Sequence, residues 1–354
     1  MKLRSASVVR PTLLDIWLSL RGAKRRSNPI FGDRKRDCFT TFAMTNVKLF
    51  TTHYINWFLT AGLFSAFLMA GCSRRDEASV GTPANPLVVV LSPAHAPPAS
   101  SGALAFLKTH LETATGMSVD IRVAESPAAK IKKFDSGLTD AGIVTLEEYL
   151  VAREEYGVHA DLQVLRGYKL TEYEGAILTH SRGGALNVAE LSGKKVGFVG
   201  PYSVSGFTLP SIYLKKAGVK VIPEFFSSHE SNFKKLVDGE IYAAATYARQ
   251  VARSPGLKIL AVTGKVPNEP VIVRRTLSRE KREALKSAFL TIGAAPEGRR
   301  ALGMIADITG FRPVDEAVYR PLHELLRAEG KAVYDLVPDG WDIYRLNQPY
   351  TSGL

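Results

Sequence analysis

The chain contains few of the residues that build catalytic or metal centres. Only two of its 354 residues are cysteines, Cys38 and Cys72, which excludes a disulfide-rich scaffold and a four-cysteine zinc site. Its histidines are scattered, and no two of them stand at a metal-ligand spacing such as His-x-x-x-His, so we expect no metal. No Gly-x-Ser-x-Gly elbow is present, and a serine hydrolase is therefore not predicted. We expect a protein that is not an enzyme and that carries no cofactor.

Acidic residues are scarce near the N-terminus, and this scarcity accounts for most of the net charge of +12. Residues 1–43 hold ten Lys and Arg side chains against three acids, whereas the chain after Cys72 carries only about +4. A modest charge of this kind does not predict a nucleic-acid partner. We interpret residues 1–43 as a leader that contributes nothing to the fold, or as the result of a start codon assigned too early.

An apolar run precedes the second cysteine. Residues 57–72 read WFLTAGLFSAFLMAGC, with Lys48 on the N-terminal side, which is the layout of a secretory signal peptide. The apolar stretch 55–70 has 16 residues, fewer than the roughly 20 that a membrane-spanning helix needs. Its end, Met69-Ala70-Gly71-Cys72, resembles the bacterial lipobox. We predict a lipoprotein signal peptide over 44–72, lipid on Cys72, and a location in the periplasm or at the cell surface, anchored to a bacterial membrane.

Beyond a polar segment at 73–86, interpreted as a tether, short apolar runs and helical periodicities alternate along the chain. This alternation predicts mainly parallel sheets that are flanked by helices. The length allows two domains, and the chain is expected to cross between them near 170–185 and 262–275. The prediction is an α/β protein of two lobes, with lobe 1 at 87–175 and 271–354 and lobe 2 at 180–265. A cleft between two such lobes is a common site for a small ligand.

A loop rich in serine and glycine lies where a predicted strand meets a predicted helix. Residues 200–210 read GPYSVSGFTLP and follow the apolar run Val196 to Val199. Free backbone N–H groups and the positive end of the helix dipole converge at such a junction. Ser203 and Ser205 add hydroxyl donors, and Gly206 allows an oxyanion to approach the backbone closely. The pattern predicts a cradle for a small tetrahedral anion, with an ordinary N-cap serine as the alternative.

Further polar residues stand at similar junctions. His229 follows Ser228 at the start of a predicted helix and can donate to an anion oxygen, although a helix cap or a surface histidine has the same pattern. Glu269 lies in the loop at the second crossing, and Thr145 follows a strand of lobe 1. Ser92 follows the first strand, where open α/β sheets bind ligands.

Taken together, these segments resemble the phosphate-, phosphite- and phosphonate-binding proteins of ABC importers. The family has a Ser-(Thr/Ser)-Ser-Gly loop followed by proline, a Gly/Ser-His-acid element, an Ile-Pro-x-acid-Pro loop, and a Gly-Phe-x-Pro element with a tyrosine near the end. The corresponding segments here are Ser203-Val204-Ser205-Gly206 with Pro210, Ser228-His229-Glu230, Val266-Pro267-Asn268-Glu269-Pro270, and Gly310-Phe311-Arg312-Pro313 with Tyr319. Their order and spacing agree over roughly residues 86–330.

The resemblance implies a type II periplasmic-binding fold, whose two α/β lobes close on the ligand. It also implies a monomeric solute-binding protein that works with an ABC importer permease. The oxygens of a bound phosphonate, phosphite or phosphate would be held by Ser203, Val204, Ser205, Gly206 and His229. Thr145 would complete this shell from lobe 1, and Glu269 would face the distal group of the ligand.

The chain departs from the family pattern at two positions. Val204 replaces the middle hydroxyl residue of the loop, and Arg249 stands where aminophosphonate binders can carry a second acid. An arginine suits a carboxylate or a second anion, which argues against 2-aminoethylphosphonate, although an exposed salt bridge would also explain it. Tyr173 and Tyr247 could line the cleft or pack between the lobes. Two alternative functions remain open, a sensory or scaffold protein that reuses the binding fold, and a binder of another small anion.

Overall fold

The computed structural model describes residues 75–93 and 100–344. The expected leader at 1–43, the signal peptide at 44–72, the lipidation of Cys72 and the last ten residues of the expected lobe 1 lie outside the described residues. Across the described ranges, no helix has both the length and the apolar character needed to cross a membrane.

Lobe 1 is built on a six-stranded sheet. Its strands are β1 (Leu87–Leu91), β2 (Val119–Val123), β3 (Ala141–Ile143), β4 (His159–Arg166), β10 (Pro270–Val273) and β11 (Ile308–Pro313), in the spatial order β11-β4-β10-β3-β1-β2. Its helices are α1 (Ser101–Thr115), α2 (Pro127–Asp135), α3 (Leu146–Tyr156), α6 (Arg279–Thr291), α7 (Pro296–Met304) and α8 (Arg320–Ala328).

Both faces of this sheet are covered by helices. Along β1, Val90 packs in one apolar cluster with α2, α3 and α8, whereas Val89 packs in another with α1, α6 and α7. This division follows from the period of two in a strand, which sends successive side chains to opposite faces. A strand that is apolar at every position, as LVVVL is, therefore belongs in the middle of the three layers.

Lobe 2 is built on a five-stranded sheet. Its strands are β5 (Glu172–His180), β6 (Lys195–Val199), β7 (Ile222–Phe226), β8 (Ala243–Tyr247) and β9 (Leu257–Pro267), in the spatial order β7-β6-β8-β5-β9. Its helices are α4 (Leu209–Lys216), preceded by a π-helical turn over Val204–Thr208, and α5 (His229–Val237). The chain passes between the two sheets from β4 to β5 and again from β9 to β10.

The expectation of mainly parallel sheets is wrong. Among the described strands, β1 pairs in parallel with β2 and β3, and β6 pairs in parallel with β7 and β8. The other pairs, β10 with β3 and β4, β11 with β4, and β5 with β8 and β9, are antiparallel. The second crossing accounts for β10, which enters lobe 1 from β9 and inserts between β3 and β4. Residues 308–313, which contain the Gly310-Phe311-Arg312-Pro313 element, form β11.

The segment before β1 is not a free tether over its described part. Arg75 donates from Nη1 to Asp140 Oδ2 at 2.6 Å, and Glu77 forms an ion pair with Arg274. Val80 is buried in the cluster on the α1 face. Asp140 also accepts from the Val88 N–H at 2.7 Å. The polar residues of this segment, which suggested a tether, therefore pair with charged side chains that are buried in lobe 1.

Candidate ligand-binding site

The loop after β6 is the first turn of a helix. Ser203 caps it, since its Oγ accepts from the Gly206 N–H at 3.1 Å and its carbonyl accepts from Phe207 and Thr208 at 3.0 and 2.9 Å. The helix predicted to begin near Pro210 therefore begins at Val204, with one π turn. The turn uses the N–H groups of Gly206, Phe207 and Thr208 internally. Those of Val204 and Ser205 are left for groups outside it, at the positive end of the helix dipole.

Gly206 is required here for packing. A Cβ on this residue would lie 2.6 Å from the Val199 Cβ and 2.9 Å from the Ser203 Oγ. Any side chain would push the turn away from the end of β6 and break the Ser203 cap. The glycine thus keeps the cradle against the strand, which adds to the close approach of an oxyanion predicted for it.

His229 begins α5 beside the same edge of the sheet. Ser228 caps this helix by accepting from the Ser231 N–H at 3.1 Å. The His229 Nδ1 lies 2.8 Å from the Thr246 Oγ1, and burial lowers the pKa of the imidazole to about 4. The ring is therefore neutral at physiological pH. When the Thr246 hydroxyl donates to Nδ1, the Nε2 carries the proton and is a neutral donor.

Two tyrosines connect His229 to the Ser203 turn. The ring of Tyr247 lies 5.2 Å from that of His229 and 6.2 Å from that of Tyr173, each in an edge-to-face arrangement. The Tyr173 side chain is hydrogen-bonded to Ser205, and burial raises the pKa of both tyrosines. Both phenols thus stay protonated and available as donors. His229, Tyr247, Tyr173 and Ser205 form a continuous row along one edge of lobe 2.

Thr145, predicted to complete the site from lobe 1, caps α3. Its Oγ1 accepts from the Glu148 N–H at 3.3 Å, and Glu148 Oε2 accepts from the Thr145 N–H at 2.8 Å. This is a capping box. The neighbouring acid, Glu147, reaches lobe 2 instead, where its Oε1 accepts from the Val204 N–H at 3.1 Å.

Sequence reasoning missed Glu147. The signal was present in Thr145-Leu146-Glu147-Glu148, because a capping box uses the acid three residues after the cap and leaves the one before it free. Such an acid sits in the first turn of α3. The capping-box pattern does not predict which segment of the chain faces Glu147.

Two predicted contact residues are engaged with partners inside lobe 1 or at its edge. Ser92 is buried, donates to Glu148 and accepts from Lys130. Glu269 forms an ion pair with Arg166 at the crossing from β9 to β10. The roles of both on a ligand stay predictions.

Arg249 is exposed and lies beside the other crossing. A Cβ on Gly167 would stand 3.2 Å from its Nη1, so the guanidinium covers the turn between β4 and β5. Among the described residues, no cluster of three or more His, Cys, Asp or Glu side chains is arranged to hold a metal ion.

The sequence profile of the family described as "ABC transporter, phosphonate, periplasmic substrate-binding protein" matches residues 89–319. The chain belongs to this family. It is a substrate-binding component of a transporter and not an enzyme, as the motifs predicted. Membership also places it outside the cytoplasm, in the periplasmic class of binding proteins.

Solved structures show the same fold. A protein from Xanthomonas citri bound to ATP superimposes with a TM-score of 0.57 at 19% identity, covering 73% of this chain and 100% of that one. A binding component of an ABC phosphonate transporter from Pseudomonas aeruginosa gives 0.55 at 17%, covering 69% and 86%. PhnD1 from Prochlorococcus marinus in complex with methylphosphonate gives 0.55 at 17%, covering 70% and 98%. The predicted type II periplasmic-binding fold is confirmed. No curated protein sequence matches the chain.

Proposed function

We propose that this phosphonate-family protein binds a small phosphorus oxyanion between its two lobes and delivers it, as a monomer, to an ABC importer permease. One observation carries the proposal, namely the row of neutral donors along the edge of lobe 2. It contains the Ser205 N–H and hydroxyl, the Tyr173 and Tyr247 phenols and the His229 imidazole, and beside them lies the Val204 N–H, which donates to Glu147. A hydrogen bond from a neutral donor to a charged acceptor contributes about 1.5–3 kcal/mol. Several such bonds hold an anion without a buried cation.

Contacts across the two lobes support a ligand position between them. Lys215 of α4 forms an ion pair with Glu329 at 2.8 Å, and the ammonium of Lys331 lies 5.7 Å from the centre of the Phe207 ring. Leu209 and Val266 of lobe 2 join the apolar cluster of α3 and α8 in lobe 1. An anion held at the Ser203 turn would therefore be covered by α3 and shielded from water, which strengthens its hydrogen bonds.

Among the candidate ligands, we place a phosphonate first. The family description names phosphonate, and PhnD1 was solved with methylphosphonate. The exposed Arg249 adds positive charge beside the β4–β5 turn, which favours an acidic ligand over one that carries an ammonium group. Phosphite and phosphate are the smaller alternatives within the same chemistry.

The test is calorimetric titration of the full chain, purified in mild detergent, with methylphosphonate, phosphite and phosphate. Ser205→Ala and His229→Ala should each weaken the preferred ligand by about 10–100-fold, because each removes a donor to an anion. Ser287→Ala, at an exposed position of α6, is the matched control and should bind as the wild type does. A folded chain that binds none of the three, or variants that bind unchanged, would contradict the proposal.

We also propose that lipid on Cys72 anchors the protein to the membrane. It rests on the lipobox-like Met69-Ala70-Gly71-Cys72. In cells that express the full chain, Cys72→Ser should move the protein from the membrane fraction to the soluble fraction or leave its signal peptide uncleaved. Membrane association that does not change in this variant, although its signal peptide is cleaved, would rule the anchor out.

A further inference from the structure

Glu147 brings a carboxylate to the anion cradle from the opposite lobe. Its Oε1 accepts from the Val204 N–H at 3.1 Å, and Val204 belongs to the turn proposed to hold the ligand oxygens. Its other hydrogen-bonding neighbours are its own backbone N–H and the Thr145 hydroxyl. A second anion at the cradle would meet this carboxylate at close range.

The surroundings of Glu147 disfavour two negative charges. Desolvation between the lobes raises the pKa of its carboxyl group, and the adjacent Glu148 raises it further. The charged and titratable groups around it are Glu148 with Lys130 bound to it, Tyr173 on β5 with the Arg166–Glu269 pair behind it, and Tyr247 and His229 along the edge of lobe 2. Lys130 is already paired with Glu148, and Arg166 with Glu269. The nearby cations are therefore engaged with other carboxylates.

Two carboxylate-like anions that meet in a water-poor site are stable only when they share a proton, as paired carboxyl groups do. Phosphonates, phosphite and phosphate can supply or accept that proton, because their second ionisation lies near neutral pH, as the pKa of about 6 for phosphate esters shows. Sulfate and sulfonates stay fully ionised in water, so with them the shared proton has to be taken from solvent onto Glu147. That uptake costs more free energy the further the pH lies above the pKa of this carboxyl group.

We propose that Glu147 selects oxyanions that can carry a proton, by sharing one proton with the bound anion. The proton balance is the same in both forms of the complex. Either the P–O–H of a monoanion donates to the ionised Glu147, or the protonated Glu147 donates to a dianion. Where ligand and carboxyl group are both ionised beforehand, one proton is taken up from solvent. The inference rests on the proposed function of oxyanion binding at the Ser203 turn.

The test uses the full chain in mild detergent with methylphosphonate and with methanesulfonate, which has the same shape. Titrations in Tris and in bicine count the protons taken up, because the two buffers absorb different amounts of heat on giving up a proton. The variants are Glu147→Gln and, as a matched control, Glu240→Gln at an exposed position on lobe 2.

Wild type and Glu240→Gln should take up about one proton per methylphosphonate at pH 8.5, and their affinity should fall about tenfold per pH unit there. Their affinity for methanesulfonate should be weaker by about 100-fold or more. In Glu147→Gln the proton uptake and the pH slope should disappear, and methanesulfonate should bind at least about tenfold more tightly, since the amide can donate to a fully ionised oxygen.

The outcomes separate this inference from the proposed function. Wild-type protein that binds methylphosphonate without proton uptake, or binds methanesulfonate equally well, overturns the role of Glu147 while oxyanion binding stands. An unchanged proton count in Glu147→Gln overturns it as well. Protein that binds neither ligand in any variant overturns the proposed function and the inference with it.

Discussion

Lobe 1 buries charged side chains, whereas the polar side chains that the described part of lobe 2 buries are all neutral. The buried charged residues of lobe 1 are Lys130, Asp140, Glu148, Glu155, Asp161 and Arg274, and Glu269 is buried at the crossing from β9 to β10. The buried polar residues of lobe 2 are Thr179, Ser205, Thr208, Asn232, Thr246 and Gln250.

The charges in lobe 1 are paired, and they tie distant parts of the chain together. Arg274 donates from Nε to Asp140 Oδ1 at 2.8 Å and so holds β10 to the start of β3. Lys130 of α2 pairs with Glu148 of α3. Lobe 2 has no need of such pairs, and a buried carboxylate there would repel an incoming anion. Lobe 1 thus uses buried charge for structure, and the neutral interior of lobe 2 is compatible with the anionic ligand that we propose.

The largest effect that tests this contrast is expected at Lys130. Lys130→Met leaves Glu148 buried without its cation, and breaking a buried pair in this way typically costs about 3–5 kcal/mol. We expect the free energy of unfolding, measured by urea denaturation, to fall by about that amount. The matched control is Lys133→Met on the same helix, where the ammonium is exposed and the change should be within about 0.5 kcal/mol.

A second variant shows whether the loss comes from the charge. Lys130→Met combined with Glu148→Gln removes both charges and keeps an oxygen for the Thr145 N–H. Much of the lost stability should return, because a neutral pair no longer carries an unpaired buried ion. Equal stability of the single and double variants would contradict the idea that lobe 1 depends on paired charges.

Local patterns in the sequence predicted much of lobe 2. The run Val196 to Val199 is apolar with a β-branched residue at each end, and the loop with Ser203, Ser205 and Gly206 follows it. The strand, the turn and the start of a helix therefore all depend on neighbours in the chain. His229 was placed by the same logic, one residue after a serine cap. The family and the fold were predicted correctly because such junctions recur in a fixed order.

The features that the sequence did not predict depend on distant partners. Lys130 reads as a surface lysine among Lys132 and Lys133, and only its pairing with Glu148 explains why it is buried. Glu147 faces Val204, which lies 57 residues further along the chain. The antiparallel insertion of β10 between β3 and β4 likewise follows from the second crossing. Periodicity describes one segment at a time and carries no information on which segments meet.

The smallest expected effect concerns His229 and tests whether lobe 2 keeps its buried groups neutral. Burial lowers the pKa of this histidine to about 4 from 6.5, so the folded protein keeps it uncharged while the unfolded chain protonates it below pH 6.5. The unfolded state thus binds more protons between pH 6.5 and 4. The stability associated with His229 is complete above pH 6.5 and is lost progressively as the pH falls towards 4. The loss amounts to at most about 3 kcal/mol, from the value of a pKa unit.

The difference between wild type and His229→Gln isolates this loss from the titration of other groups. The wild type should lose stability relative to the variant over that window and should show no further relative change below pH 4. Proton NMR of the His229 ring gives the independent reading. A ring that titrates near pH 6.5 in the folded protein would mean that lobe 2 accepts a buried charge at its binding edge. In that case the neutral interior of lobe 2 would not explain how the proposed anion is bound.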